Sequence, residues 1–285
     1  MKPAIFEYHA PTSIDEAVNL LSQFSDADGR IIAGGQSLVP TMAFRLARPA
    51  HLIDITGISA LDKISQEEDK LIIGAGVRHA AFHKPVCDGP LGVMLAEVVQ
   101  HIAHLPIRTR GTFCGALAHA DPASEWCALA VTLDATLVAK SAERERQVSA
   151  SSFFETVMTT TLEENELLTE AQLPILPNNT HFGFEEFSRR AGDYALTMAL
   201  VVWEDEGGKI SNARIGLGGV EDRPRRIIEA EEILNGNAPS DDIFRSAAEA
   251  AASVVDPMED HATSAGYRRD LVKALTRRAM EKAVK

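Results

Sequence analysis

Ile14, Ala17, Val18 and Leu21 recur at the spacing of one helical face, and Ser13 stands three residues ahead of Glu16 as in a capping box. The pattern predicts a first helix over 14–24 with one face turned inward. Arg30-Ile31-Ile32 is a short apolar strand that breaks at Gly34-Gly35, helical spacing returns over 38–46 up to Pro49, and His51 to Ile55 reads as a second strand. The result is a small strand–helix–strand unit whose glycine loop lies at a strand's C-terminal end, where open α/β layers bind ligands.

From 56 to about 176 the pattern changes. A hairpin is predicted at 61–65 and 70–73, and a long apolar helix over 91–103. Asp121-Pro122 has the chemistry of a helix start, with a helix at 123–132, and strands follow at 135–140, 144–148 and 167–173 before Pro174 and Pro177. The last stretch predicts strands near 182–188, 195–204 and 209–218, then helices near 225–235, 241–254 and 264–283. The chain therefore divides into 1–56, 57–177 and 178–285.

At 285 residues and 45% hydrophobic content there is ample material for more than one packed unit. A formal net charge of −13 argues against nucleic acid or an anionic membrane as partner, since either needs clustered Lys and Arg. No apolar run approaches the roughly 20 residues of a membrane span, and the first residues lack a signal-peptide core, so the expected compartment is the cytoplasm without membrane insertion. Cys87, Cys114 and Cys127 form no C-x-x-C pair and are too few for an iron–sulfur cluster.

The candidate chemistry lies in two glycine loops, Ala33-Gly34-Gly35-Gln36-Ser37 and Arg110-Gly111-Thr112-Phe113-Cys114-Gly115, the second running into Ala118-His119-Ala120-Asp121-Pro122. Each drops side chains where backbone N–H groups must come close to something, and together they point to a bound dinucleotide; an isolated Gly-Gly would read more readily as a tight turn. Ile72 to Val77 opens like a Rossmann fingerprint, but His79 falls where the third glycine belongs. Glu97, His101 and His104 have a spacing that metal ligands can use, yet read more simply as solvated helix-end side chains, and 140–147 as a solvated hairpin.

The blocks at 33–55 and 101–137, with Ser188-Arg189-Arg190-Ala191-Gly192-Asp193-Tyr194-Ala195, resemble the FAD-binding medium subunit of the molybdenum hydroxylases, the carbon monoxide dehydrogenase and xanthine dehydrogenase family. The resemblance implies an α+β chain: a p-cresol methylhydroxylase-type FAD-binding fold of two subdomains, then a C-terminal three-stranded antiparallel sheet with a helical bundle. It places Ala33, Gly34, Gly35, Gln36, Ser37 and Leu38 at the FAD pyrophosphate, and Gly111, Thr112 and Gly115 towards the flavin end. His119, Asp121 and Glu125 fall on ribityl- and phosphate-facing positions, and Leu168, Asp193 and Tyr194 complete the set. Asp121 reads equally as a plain N-cap, His119 as a satisfied loop histidine and Tyr194 as core.

The implied activity is electron transfer by non-covalent FAD. Molybdopterin would reside in a large partner subunit and two [2Fe–2S] clusters in a small one, with pairs of such heterotrimers associating. No catalytic side chain or metal ligand is required of this chain. A stand-alone FAD oxidase or dehydrogenase, and a scaffold subunit without flavin, are the alternatives. Two departures stand out: Cys114-Gly115-Ala116 replaces the family's Gly-Gly-Asn or Gly-Gly-Ser, which predicts a crowded loop and weaker FAD binding, and Glu185 and Glu186 stand where the family favours a lysine.

Overall fold

The computed structural model describes residues 2–261 and 263–284. Its first unit comprises β1 (Glu7–His9), α1 (Ile14–Phe24), β2 (Gly29–Ile32), α2 (Leu38–Ala43) and β3 (His51–Asp54), with the strands parallel in the order β1-β3-β2. Helix α1 has the predicted bounds, and its Ser13 hydroxyl accepts from the Glu16 N–H; the Glu16 carboxylate reaches back one residue further than a capping box requires, to the Thr12 N–H at 2.7 Å.

The second unit runs through β4 (Ile64–Glu67), β5 (Lys70–Gly74), α3 (Pro90–Val98), α4 (Leu105–Arg108), α5 (Phe113–His119), α6 (Glu125–Thr132), β6 (Thr136–Lys140), β7 (Glu145–Ser149), α7 (Ala150–Phe153), β8 (Phe154–Thr156), β9 (Thr159–Thr160) and β10 (Leu167–Pro174). Its main sheet is antiparallel in the order β4-β5-β10-β6-β7, so β10 closes the sheet far from its neighbours in sequence. The helix expected over 91–103 stops at Val98: Gln100, His101 and Ile102 donate to carbonyls three residues back, and Ala103 turns left-handed at φ 41°.

The third unit holds β11 (Thr180–Phe187), β12 (Thr197–Asp205), β13 (Ile210–Gly218), β14 (Arg225–Arg226), α8 (Ile228–Leu234), α9 (Asp241–Val254) and α10 (Ala265–Ala283). The sheet has four strands rather than three. The segment 225–226, expected as the start of a helix, pairs with Gly216 and Leu217, and α8 begins only at Ile228.

One hydrophobic core joins the first two units and extends to one face of the third unit's sheet, where Phe184, Met198, Leu200 and Val202 enter it. Ala199, Val201 and Trp203, on the other face, pack with α8, α9 and α10 in a second core. Strand β12 is thus buried on both sides, which explains its near-continuous apolar run Met198 to Trp203. Helix α6, with all eight residues buried, docks against that sheet through glycines: a Cβ on Gly216 would stand 1.7 Å from Thr132 Oγ1, and one on Gly218 3.1 Å from Ala128 Cβ. Gly183 does the same for α10, where a Cβ would lie 2.0 Å from the Ala279 carbonyl oxygen.

Gly216→Ala is therefore expected to destabilise the chain by about 1–3 kcal/mol, because Thr132 Oγ1 is held by the Ala128 carbonyl and the packed helix cannot retreat freely. Gly57→Ala, whose Cβ would meet only the Pro11 carbonyl at 3.9 Å, is the matched control with little effect. Urea unfolding of both variants checks this, and equal midpoints would refute it.

Candidate functional site

The two glycine loops meet through their backbones. A Cβ on Gly34 would stand 2.2 Å from the Arg110 carbonyl oxygen and 2.5 Å from Gly111 Cα, so only glycine admits this approach. Gly35 follows at φ +69°, Gln36 Nε2 ties back to the Gly34 carbonyl at 2.9 Å, and Val39 donates to the Gly35 carbonyl as α2 begins. Among the described residues, the N–H groups of Gly34, Gly35, Gln36, Ser37 and Leu38 have no acceptor, and the Ser37 hydroxyl caps nothing. Such consecutive free donors form an anion cradle.

The second loop is braced from behind. His79 N–H donates to the Gly111 carbonyl and Phe113 N–H to the Val77 carbonyl, both at 2.9 Å, and the Thr112 hydroxyl caps α5 by accepting from Gly115 N–H. A Cβ on Gly115 would press on that hydroxyl at 2.6 Å, and one on Gly111 on His79 Nε2 at 2.7 Å. The His79 ring itself is fixed by Trp126, whose indole N–H donates to His79 Nδ1 at 2.9 Å. Burial, with the nearby Arg108 charge, lowers the His79 pKa to about 4, which keeps the ring neutral and able to accept. His79 opens a short 3₁₀ turn (His79–His83), which leaves no room for a Rossmann helix.

Cys114 corrects an expectation. Its side chain does not crowd the loop but turns into the core, with Sγ 3.5 Å from the Ile73 carbonyl oxygen and 2% exposure. Burial raises its thiol pKa, and raises that of Cys127 to about 12, so neither is a nucleophile near neutral pH.

Ala33, Gly115, Ala118 and Leu168 line a cleft of about 280 Å³ between the first unit and β10, joined there by Glu163 and Glu166. The 140–147 segment is the largely exposed turn of the β6–β7 hairpin, as expected, but its Arg146 grips the Glu166 carboxylate of the cleft at 2.6 and 2.7 Å and holds its pKa below the usual range.

A second group of residues gathers beyond α5. Asp121 is not the N-cap of α6, a position taken by Ser124. Its Oδ1 accepts from Ala123 N–H in a tight turn, while the neighbouring Pro122 carbonyl accepts from Gly219 of the third unit. Glu125 is buried with its pKa raised to about 7, by burial first and then by Asp121. Glu186 stands across the unit boundary, raised to about 8 by burial and by Glu125, with Oε2 lacking a hydrogen bond and His101 Nδ1 3.8 Å away. Tyr194 is 67% exposed overall, so it is not core, and the phenol pKa is raised by burial about its hydroxyl and by Asp121 and Glu125. Asp193 is exposed on the same loop, and His119 lies half-buried at the end of α5.

The Glu97, His101 and His104 set does not converge. His104 is exposed as expected, with its ring covering Gly192, while Glu97 and His101 are only partly solvated: Glu97 pairs with Lys282 at 2.8 Å and His101 faces Glu186. His79 and Glu186 are the residues sequence reasoning missed, since their partners lie far along the chain.

Comparison with known proteins agrees with this geometry. Residues 4–176 match the FAD binding domain in molybdopterin dehydrogenase, and residues 182–283 the CO dehydrogenase flavoprotein C-terminal domain. The nicotine 6-hydroxylase medium subunit of Paenarthrobacter nicotinovorans is 37% identical over 283 residues, 99% of either chain. Among solved structures, carbon monoxide dehydrogenase from Hydrogenophaga pseudoflava superposes with a TM-score of 0.95 at 36% identity, covering 100% of this chain and 99% of that one. Quinoline 2-oxidoreductase from Pseudomonas putida 86 gives 0.92 at 40% identity, with 99% and 98% covered.

Two outcomes are expected at this site. Gly34→Ala forces the loops apart and weakens FAD binding by about tenfold or more, the equivalent of roughly 1.4 kcal/mol, measured by titrating the apo-chain. Glu186→Gln changes the dependence of stability on pH. The folded chain keeps a proton on Glu186 up to about 8, whereas the unfolded chain releases it near 4.5, so folding is penalised increasingly as pH rises between those values. The variant is then more stable than wild type by about 1–3 kcal/mol at pH 8.5, with the gap closing towards pH 5. His79 acts oppositely, losing stability as pH falls from 6.5 towards 4, and is common to both proteins. Urea midpoints across that range decide it; a gap independent of pH refutes the assignment.

Proposed function

Because this chain belongs to the FAD-binding medium subunits of the molybdenum hydroxylases, we propose that it holds one FAD non-covalently and relays electrons from a partner's [2Fe–2S] clusters to an external acceptor. The observation that carries the reading is the row of unpartnered N–H groups at 34–38, set against Gly111 by a backbone approach that excludes any side chain. These donors suit a pyrophosphate, and they need no cation in a chain of net charge −13. FAD, once held, supplies the ability to exchange electrons singly or in pairs.

The chain's own residues bind and orient. Ala33 to Leu38 take the pyrophosphate; Gly111, Thr112 and Gly115 set the path towards the flavin end; Leu168 lines the cleft wall. His119, Asp121 and Glu125 meet the ribityl and phosphate groups, and Tyr194, exposed above the buried carboxyls with Asp193 on its loop, meets the ring. Burial raises Glu125 to about 7 and Glu186 to about 8, so at neutral pH both carry protons part or most of the time and the negative charge around the ring is reduced. A large molybdopterin-binding subunit and a small iron–sulfur subunit complete the enzyme, in a cytoplasmic dimer of heterotrimers. The thiols nearest the cleft are buried and protonated, which supports non-covalent attachment.

A stand-alone oxidase would need acid–base groups converging on a substrate pocket; the ionisable residues here serve the unit boundary instead. The flavin-less scaffold reading, which rests on Cys114 and Ala116, keeps only Ala116, since the Cys114 thiol is directed into the core.

Acid precipitation of the purified chain is expected to leave a colourless pellet and FAD in the supernatant. A yellow pellet would refute non-covalent binding, and a folded colourless protein that ignores added FAD would refute the flavin altogether. Native purification is expected to bring iron and molybdenum with two further polypeptides. If the chain came alone and turned over substrate unaided, the oxidase reading would replace this one.

A further inference from the structure

At the end of the first unit remote from the glycine loops, three metal-ligand side chains converge. The parallel pairing of β1 with β3 sets Glu7 beside His51, and His9, two residues on, shares the face of Glu7. His9 Nε2 lies 3.1 Å from His51 Nδ1, which is itself 3.6 Å from Glu7 Oε2, and one ligand atom from each residue lies within 4.8 Å of the others. A single ring nitrogen, His51 Nδ1, is thus addressed by a second imidazole nitrogen and by a carboxylate at once. One hydrogen can satisfy only one of those contacts, whereas a cation at their centre satisfies all three.

The separations suit a small divalent ion. Metal–nitrogen and metal–oxygen bonds of about 2.0–2.2 Å at tetrahedral angles put ligand atoms about 3.3–3.6 Å apart; the two contacts of His51, at 3.1 and 3.6 Å, bracket that span, and the exposed Glu7 side chain has the freedom to close on His9, which lies within 4.8 Å of it. The imidazoles are also held in place. Phe24, at the end of α1, stacks on His51 at 3.9 Å and 11° and on His9 at 4.8 Å and 27°, so its ring forms a common apolar floor. The His51 side chain is 15% exposed while Glu7 is 73% exposed, which leaves an entry from solvent and a mobile third ligand.

We propose that Glu7, His9 and His51 bind one divalent transition-metal ion of the zinc class, with solvent as the fourth ligand. Two imidazoles and a carboxylate form a borderline donor set that favours Zn²⁺ over Mg²⁺ or Ca²⁺. The site is separate from the flavin reading: Glu7 and His51 open their parallel strands, and Gly34 follows the end of the neighbouring β2, about 10–13 Å along the strand direction from the His51 level. Its effect is mechanical, fastening the three-residue edge strand β1 to β3.

The test is calorimetric titration of the FAD-loaded full chain, stripped of metal by a chelator, with Zn²⁺, repeated on Glu7→Gln and His51→Gln. One saturating Zn²⁺ per wild-type chain is expected, with affinity lower by at least about tenfold in either variant, the lower end of what even an outer-shell metal partner is worth. Zn²⁺ is also expected to raise the wild-type melting temperature by more than that of either variant at the same concentration. Glu7 is solvent-facing, so Glu7→Gln keeps the fold and remains informative should His51→Gln unfold. No saturable binding by wild type, or binding that Glu7→Gln leaves unchanged, overturns the proposal.

Discussion

The contact between Gly34 and Gly111 is the constraint on which the rest of the molecule turns. Two loops from different units touch main chain to main chain, and neither has a side chain to give way. The contact is also the top of a column. Gly111 rests on His79, His79 accepts from Trp126, and Trp126 belongs to α6, which is buried on every side and docks on the third unit's glycine-bearing strand. A displacement at Gly216 or Thr132 therefore has a packed route to the anion cradle, because close-packed interiors transmit strain rather than absorb it.

The boundary between the second and third units has a different character. There the structure tolerates two buried carboxyls, Glu125 and Glu186, by keeping protons on them well above the ordinary carboxylate range. Glu186, with Glu125 and His101 beside it, gives this face an acidic setting held partly in check by protonation. Lys282, from α10, supplies a positive charge nearby but is engaged with Glu97 and Glu185.

Much of this was legible in the residues, and the failures have a common cause. Helix α1 could be read because its cap and its apolar face lie within eleven residues, and β12 because a strand buried on both sides must be apolar throughout. The loops at 33–37 and 110–115 were visible as glycines, but not their contact with one another. His79 looked like a defect in a fingerprint, since its meaning depends on Trp126, 47 positions away. Cys114 departs from expectation for a local reason: its direction depends on where α5 begins, which turns its Sγ towards the Ile73 carbonyl behind the cleft wall rather than into the loop. Asp121 has the local chemistry of a cap, yet Ser124 takes that position. The third unit, through Gly219, takes up the Pro122 carbonyl and delays the helix to Glu125. In each case a long-range contact overrode a sound local rule.

The bare approach of Gly34 to Gly111 bears on heredity as well as on binding. A lineage that acquires a side chain at position 34 has no second-site suppressor at its point of contact, because the atoms in the way are a carbonyl oxygen and an α-carbon, which no codon change can trim. The two positions are therefore constrained without being able to covary, and methods that infer contacts from correlated substitution would be blind to the closest one between the two loops.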